Sequence, residues 1–171
     1  MTAITQDRLA VAQDRLAVQT HRIFLRATAE EVWDALTRPG WTQKYGFRAA
    51  AHYDMRPGGI YLAFASAPMR MRGASDVIID GEVLAVDAPH RLVQTWHVLF
   101  DDQAAAETDT RLTWEIEESD GGVTALTVRH ELDGAPRTAD LVAGRDGGLA
   151  GWTWILSDLK SLLETGRPLA A

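Results

Sequence analysis

The chain of 171 residues is long enough for one domain with one hydrophobic core, and its 46% hydrophobic and 24% charged residues are typical of globular proteins. Its net charge of −7 and its pI of about 5.1 argue against nucleic acid and anionic membranes as partners, because both require clustered Lys and Arg. The absence of cysteine excludes disulfides and thiolate zinc sites. No secretory signal and no bilayer-length apolar run are visible, so a cytoplasmic protein is expected.

The N-terminus contains a short duplication, because the unit QDRLAV occurs at residues 6–11 and again at 13–18. Its residues are good helix formers, so residues 1–18 are interpreted as an N-terminal arm that can form a helix. Two interpretations stay open, a duplication in a loosely ordered terminus and an arm that packs on a partner subunit. Residues 19–166 are predicted to form a single domain, followed by a C-terminal tail at 167–171.

The first elements of the domain are a strand and two short helices. Residues 19–27 alternate between polar and apolar side chains, which predicts a strand. Thr28, with Glu31 three positions later, has the pattern of a capping box and begins a helix that Pro39 ends. A second short turn or helix is predicted at 41–46.

Six further strands are predicted before the end of the chain, separated by turn residues such as Asp120-Gly121-Gly122. The candidates are 47–54, 59–66, 76–87, 90–100, 110–118 and 123–132. The last two alternate cleanly, with one apolar face formed by Leu112, Trp114, Ile116, Leu126, Val128, His130 and Leu132. Such alternation is typical of an antiparallel sheet that is covered on one side. Residues 133–145 are predicted to be an irregular connection.

The chain closes with a long predicted helix, GGLAGWTWILSDLKSLLETG, at residues 147–166. At 100° per residue, Trp152 shares an apolar stripe with Leu156 and Leu159, which predicts the face that packs on the sheet. Trp154 falls on the opposite side, beside Asp158. We interpret Trp154 as an outer-face residue, covered by a loop or the arm, or contacting another subunit.

Five segments, in this order and spacing, resemble the SRPBCC (START/Bet v 1-like) superfamily, in the branch similar to the C-terminal domain of the heat-shock-protein-90 ATPase activator (AHSA-type). They are ATAEEVWDALTRP (27–39), MRPGGIY (55–61), GEVLAVDAPHRLVQTW (81–96), TVRHEL (127–132) and GWTWILSDLKSLLE (151–164). The resemblance implies an α+β helix-grip fold: a curved antiparallel sheet wrapped around a long C-terminal helix, with two short helices after the first strand and a cavity between sheet and helix.

Members of this superfamily bind hydrophobic molecules, act as cyclases or dehydratases, or act as co-chaperone domains, so the fold alone does not define the function. The favoured hypothesis is a binder of a small hydrophobic or aromatic molecule. The first alternative is a cyclase, dehydratase or hydrolase that uses the same cavity. The second is a co-chaperone-like interaction module.

Strand parity and the resemblance together place a set of residues toward the predicted cavity. This set is Tyr61, Gln94, Trp96, Trp114, His130, Trp152 and Leu156. For the aromatic residues the alternative is that they simply fill the core. For His130 the choice lies between ligand binding or acid/base chemistry and a histidine that is satisfied by a neighbouring group. Gln94 is a candidate anchor for a ligand carbonyl or hydroxyl.

Two further sets of residues are predicted outside the cavity. The first, at its mouth, is Met69, Arg70, Met71 and Arg72, because flexible Met side chains suit an adaptable entrance. An ordinary solvated loop is the alternative there. The second is an interface formed by Ile60, Leu62, Phe64 and Trp154, because a strand that is apolar on both faces needs cover on both. A homodimer or an extra element such as the arm would supply that cover.

The sequence contains no recognisable catalytic motif, no metal-ligand spacing among its five histidines and no cofactor fingerprint. We therefore expect no metal and no cofactor, and we name no catalytic residue. The acidic run DDQAAAETD at 101–109 is interpreted as a solvated hairpin loop, since it lacks the oxygen pattern and the Gly of a calcium loop.

Overall fold

The computed structural model describes residues 17–144 and 151–169, which form seven strands and six helices. The strands are β1 Val18–Leu25, β2 Ala50–Tyr53, β3 Ile60–Phe64, β4 Val77–Asp87, β5 Arg91–Val98, β6 Thr110–Ser119 and β7 Val123–Glu131. The helices are α1 Ala29–Thr37, α2 Pro39–Thr42, α3 Ala67–Met71, α4 Asp102–Ala105, α5 Pro136–Val142 and α6 Trp152–Thr165. The predicted α+β helix-grip architecture is confirmed.

All seven strands form one antiparallel sheet in the order β1-β7-β6-β5-β4-β3-β2. Irregular pairing between Ala63 and Phe64 of β3, and between Val83 and Ala85 of β4, bends the sheet. The Asp120-Gly121-Gly122 turn joins β6 to β7, as the sequence predicts. Between these two strands the buried residues face one another directly, so their inner faces form a continuous apolar surface.

Helix α6 covers the inner face of the sheet through the apolar stripe that its periodicity predicts. Trp152, Leu156, Leu159 and Leu162 are all buried in the main core. The helix ends at Gly166, whose left-handed backbone conformation (φ 76°) lets its N–H bond the carbonyl of Leu162. Within the described parts of the chain, no helix has both the length and the apolar character to cross a bilayer.

Helix α1 begins with the capping box that the sequence predicts. The Thr28 hydroxyl accepts the Glu31 N–H at 3.2 Å, and the Glu31 carboxylate accepts the Thr28 N–H at 2.8 Å. These two bonds satisfy donors that a helix N-terminus otherwise leaves free.

Replacing Thr28 with alanine is expected to lower the free energy of unfolding by about 1 kcal/mol, because the first turn of α1 loses its side-chain acceptor. Urea unfolding at neutral pH measures this difference. Thr28→Ser keeps the hydroxyl and serves as the matched control. A serine variant as unstable as the alanine variant would show that the threonine methyl, and not the cap, stabilises this position.

Three segments that the sequence analysis treats as loops contain short helices. The connection 133–145 includes α5, the loop at 66–76 includes α3, and the acidic run 101–109 includes α4. The prediction of irregular structure was wrong there. Asp101 accepts the Gln103 and Ala104 N–H groups at the start of α4, so this helix is capped from within its own segment. Helix α5 is capped from outside, because Glu107 accepts the N–H groups of Arg137 and Thr138.

Candidate functional site

A cavity of about 90 Å³ lies between the inner face of the sheet, the N-terminal half of α6 and the segment that follows α2. Its aromatic lining consists of Tyr45, Phe47, Tyr53, Tyr61, Trp96, Trp114 and Trp152. The remaining lining residues are small, aliphatic or hydroxyl-bearing: Leu36, Thr42, Gly46, Ala49, Ala51, Ala63, Ile79, Leu112 and Ile155. No charged side chain from the described residues lines it, so the cavity favours an uncharged ligand.

Residues 45–49, here called the entrance segment, form the side of the cavity nearest solvent. Gly46, Phe47 and Ala49 line the cavity and are only half-buried, whereas most of the lining from the sheet is fully buried. Left-handed conformations at Gly46 (φ 58°) and Arg48 (φ 55°) turn the segment back over the cavity. A β-carbon at Gly46 would lie 3.3 Å from the Ile155 side chain, so the segment sits directly against α6.

A buried carboxylate fastens the entrance segment to α6. Asp158 is 1% exposed, and its two oxygens accept the Gly46 N–H at 2.8 Å and the Leu169 N–H at 2.6 Å. Helical periodicity places Asp158 on the outer side of α6, and in the structure that side is covered by backbone from two distant segments. Hydrogen bonds from both offset part of the cost of burying the carboxylate.

Three tyrosines line the cavity, two from the sheet and one from the entrance segment. The rings of Tyr53 and Tyr61 stack with centroids 4.6 Å apart, and the Tyr45 hydroxyl donates to the Ala35 carbonyl at 3.0 Å. Burial raises the pKa of Tyr61 to about 12, although hydrogen bonds with Trp96 and Tyr53 act in the opposite direction. Burial also raises the pKa of Tyr45 and Tyr53, so all three hydroxyls stay protonated at neutral pH.

Gln94 is fully buried behind the tyrosine pair. Its Oε1 accepts the Tyr53 hydroxyl at 3.0 Å, while its Nε2 has no hydrogen-bond partner. An unpaired buried donor costs about 1–3 kcal/mol, which makes this amide an unusual feature of the core.

A chain of hydrogen bonds runs under the tryptophans of the cavity. The Trp152 indole N–H donates to His130 Nδ1 at 3.2 Å, and His130 Nε2 lies 2.7 Å from the Thr110 hydroxyl. That hydroxyl donates to the Trp96 carbonyl at 2.6 Å, so it must accept from His130. His130 is therefore neutral with its proton on Nε2, and burial lowers its pKa to about 3.

The aromatic rings around this histidine form one packed unit. Trp152 contacts Trp114 edge-on, with ring centroids 5.4 Å apart. The Trp152 and Trp96 rings are tilted relative to each other, with centroids 5.9 Å apart. Trp96 in turn contacts the His130 ring edge-on at a centroid distance of 5.0 Å. Edge-to-face packing of this kind restricts each ring to one orientation. The cavity floor is consequently rigid compared with the entrance segment.

Four of the seven predicted cavity residues come together in the lining, namely Tyr61, Trp96, Trp114 and Trp152. The other three lie behind the wall: Gln94 and His130 make the contacts just described, and Leu156 packs in the core. Both ring nitrogens of His130 are hydrogen-bonded to neighbouring side chains, which is the predicted alternative to a role in ligand binding or acid/base chemistry.

The predicted mouth residues do not reach the cavity. Met71 is 81% exposed, Arg70 donates to the Ala65 carbonyl, and none of Met69, Arg70, Met71 and Arg72 belongs to the lining. That these residues form the mouth stays a prediction: Met69 packs against the core within α3 Ala67–Met71, and the half-buried part of the lining comes from residues 45–49.

The predicted interface residues occupy two places. On the outer face of β3, Ile60 is 55% exposed and Leu62 and Phe64 are half-buried, while Tyr61 and Ala63 point inward as strand parity requires. Trp154 is half-buried and packs against the core. A dimer contact through these residues stays a prediction, and the arm that was the other candidate cover lies largely outside the described residues.

The lining residues of the entrance segment and of β2, above all Tyr45, Phe47 and Tyr53, were not among the predicted site residues. A signal was available for Phe47 and Tyr53, because both fall on one face of the strand predicted at 47–54, in phase with Ala49 and Ala51. Tyr45 precedes that strand and offered none. Across the described residues, no group of His, Asp or Glu is arranged to hold a metal ion.

Comparison with protein families gives a match over most of the chain. The family model described as activator of Hsp90 ATPase homolog 1-like protein matches residues 26–164. A comparison with curated proteins gives no match.

Three solved structures that share this fold are distant from the chain in sequence. The solution structure of CalU16 from Micromonospora echinospora is 21% identical over 90% of this chain and 69% of its own, with a TM-score of 0.60. DynU16, a protein of the dynemicin biosynthetic locus, is 24% identical over 89% of this chain, with a TM-score of 0.62, and the match spans only 49% of DynU16. An Hsp90 activator from Plasmodium falciparum is 18% identical over 90% of this chain and 91% of its own, with a TM-score of 0.52. At these identities the similarity shows a shared fold alone.

Proposed function

Because the chain belongs to the family of activator of Hsp90 ATPase homolog 1-like proteins, within the SRPBCC (START/Bet v 1-like) superfamily, we propose that it binds a small uncharged aromatic molecule in its cavity. The observation that carries this proposal is the lining, in which seven aromatic side chains and no described charged one surround the space between sheet and helix. The burial of apolar area and ring–ring contacts would stabilise an aromatic ligand bound to this surface.

The cavity is smaller than a site for one aromatic ring. An apolar cavity of about 150 Å³ in a protein core accommodates benzene, and the present cavity measures about 90 Å³. A one-ring ligand therefore already requires the entrance segment to move away from α6. That movement would break the bond between the Gly46 N–H and Asp158.

Filling the cavity is expected to abolish binding. Ala63 is 3% exposed and lines the cavity, so in Ala63→Leu the added atoms occupy the ligand's space and should weaken the binding of a one-ring aromatic such as ethylbenzene at least tenfold. Calorimetry and the fluorescence of the lining tryptophans measure the affinity. Thr153→Leu adds the same side chain on the exposed side of α6 and should leave the affinity unchanged.

Two outcomes would contradict the proposal. The first is a wild-type protein that binds no one-ring aromatic and carries no co-purified molecule in native mass spectrometry. The second is equal binding by the Ala63→Leu and Thr153→Leu variants, which would place the ligand elsewhere.

The geometry gives less support to the two alternative functions. Acid/base catalysis would use an ionisable group at the cavity. His130 is neutral, buried behind the wall and bonded at both ring nitrogens, and burial raises the pKa values of the lining tyrosines, so their hydroxyls do not act as bases at neutral pH. The co-chaperone alternative draws on the family description and on one distant structure, and no residue contact on this chain adds to it. A pull-down with purified Hsp90 separates it from small-molecule binding.

A further inference from the structure

The polar groups around the cavity are nearly all engaged within the protein. The Thr42 hydroxyl accepts a backbone N–H of β2 at 2.9 Å, the Tyr45 hydroxyl donates to a carbonyl of α1, and the Tyr53 hydroxyl donates to Gln94. A ligand therefore finds few free partners in the wall.

The exception is the amide nitrogen of Gln94. Among the described residues, Nε2 of Gln94 is the one buried side-chain nitrogen or oxygen without a hydrogen-bond partner. The residue is 0% exposed, so bulk water cannot reach it. Both N–H groups of this amide remain unpaired, and this arrangement favours any molecule that brings an acceptor to them.

Gln94 lies next to the cavity, separated from it by one layer of side chains. Its hydrogen-bond partner Tyr53, its cross-strand neighbour Leu112 and its same-face neighbour Trp96 all line the cavity. Gln94 therefore lies immediately behind a wall that its three neighbours form. Because Gln94 is not part of the lining, an acceptor reaches Nε2 from the cavity only if one of these three side chains moves aside.

The charge of the acceptor follows from the same surroundings. No Lys, Arg or His among the described residues lines the cavity, so a buried carboxylate on the ligand would lack a counter-charge. A carbonyl oxygen accepts from an amide N–H without that penalty.

We propose that Gln94 is the specificity determinant of the cavity and that the ligand is a one-ring aromatic compound bearing a neutral carbonyl, whose oxygen accepts from Gln94 Nε2–H. This inference rests on the proposed function, because it names the chemistry of the molecule that the cavity binds. Tyr53 is a positioning residue, since its hydroxyl holds Oε1 and thereby turns Nε2 away from itself.

The test compares acetophenone with ethylbenzene, which have similar size and differ in the carbonyl. The wild-type protein is expected to bind acetophenone about tenfold more tightly than ethylbenzene, the usual effect of pairing a buried donor. Benzoate and phenol complete the series as an anion and as a hydroxyl donor. Calorimetry gives each dissociation constant.

The variants are designed so that Tyr53 cannot replace the amide. Tyr53→Phe keeps the Gln94 donor and should reduce the preference for acetophenone without abolishing it, because Oε1 loses the hydroxyl that positions the amide. Tyr53→Phe combined with Gln94→Met removes the donor at similar volume and should bind both compounds equally. The affinity for ethylbenzene should be the same in both variants.

The results distinguish failure of the Gln94 assignment from failure of the proposed function. Binding of ethylbenzene without a preference for acetophenone, or a preference that survives in the variant combining Tyr53→Phe with Gln94→Met, would overturn the role of Gln94 and leave the proposed function intact. A preference for phenol or benzoate over acetophenone would overturn the neutral-carbonyl assignment. Failure of all four compounds to bind would contradict the proposed function itself.

Discussion

Replacing Gly81 with alanine is expected to lower the free energy of unfolding by about 3 kcal/mol or more. A β-carbon at Gly81 would lie 2.2 Å from the backbone carbonyl oxygen of Thr95 on the neighbouring strand, and a backbone atom cannot turn aside as a side chain can. At this point β4 and β5 approach irregularly, and the Glu82 N–H donates to the Thr95 hydroxyl. The melting temperature should fall by about 6–12 °C for a chain of this size.

The same substitution should also disturb the cavity. Gly81 pairs with Tyr61 on β3, and Thr95 immediately precedes Trp96, so a separation of β4 from β5 moves two lining residues. Gly40→Ala is the control, since nothing lies within 4 Å of its β-carbon and its helical position favours alanine. If the two variants melted within about 1 °C of each other, the close approach at Gly81 would be refuted.

Acidification from pH 7 to pH 5 is expected to lower the free energy of unfolding by about 2 kcal/mol through His130 alone. Burial lowers the pKa of His130 to about 3, whereas the unfolded chain has the ordinary value of 6.5. Below pH 6.5 His130 binds a proton in the unfolded state but stays neutral in the native state. The stabilisation is therefore complete above pH 6.5 and is lost progressively as the pH falls toward 3.

The variant that tests this is His130→Gln, which keeps an acceptor for Trp152 and a donor for Thr110 but does not titrate. It should be less stable at pH 7 and should lose less stability between pH 7 and pH 5, as measured by urea unfolding. His21→Gln is the control, because it removes another histidine whose pKa is lowered by burial, at a half-buried position on β1. Equal pH slopes for wild type and His130→Gln would show that His130 is not the buried titrating group.

Between pH 7 and pH 5 the free energy of unfolding responds to histidine protonation and not to protonation of the ion-paired carboxylates. The hydrogen bond from Arg137 lowers the pKa of Asp101, and the hydrogen bond from Lys160 lowers that of Glu164. Carboxylates with lowered pKa values contribute stability that is lost only as the pH falls below their ordinary range, near 4.

The sheet and the closing helix were largely predictable because their patterns are local. Strand alternation and helical periodicity record which face of each element is buried, and Trp114, Val128 and Trp152 all lie on the predicted faces. The capping box at Thr28 was readable for the same reason, since all its atoms come from four consecutive residues.

The cavity was only half predictable, because its wall comes from segments that are distant in the chain. Trp96 and Trp152 were found through strand parity and helix position, whereas Tyr45 lies between predicted elements, where no pattern assigns a side chain its direction. Gln94 was correctly placed inside, but its unpaired amide follows from the absence of a second partner in space, which no pattern records.

Trp152, Trp154 and Asp158 of α6 show which structural features periodicity predicts and which it does not. The sequence by itself determined that Trp152 faces the sheet and that Trp154 does not, because 3.6 residues per turn assign each side chain a direction. Only the tertiary structure decided what covers the other side. There Asp158 is buried because Gly46 and Leu169 donate to it, and Trp154 is half-buried against the core. Periodicity sets the direction of a side chain, whereas its surroundings depend on which distant segments pack against that direction.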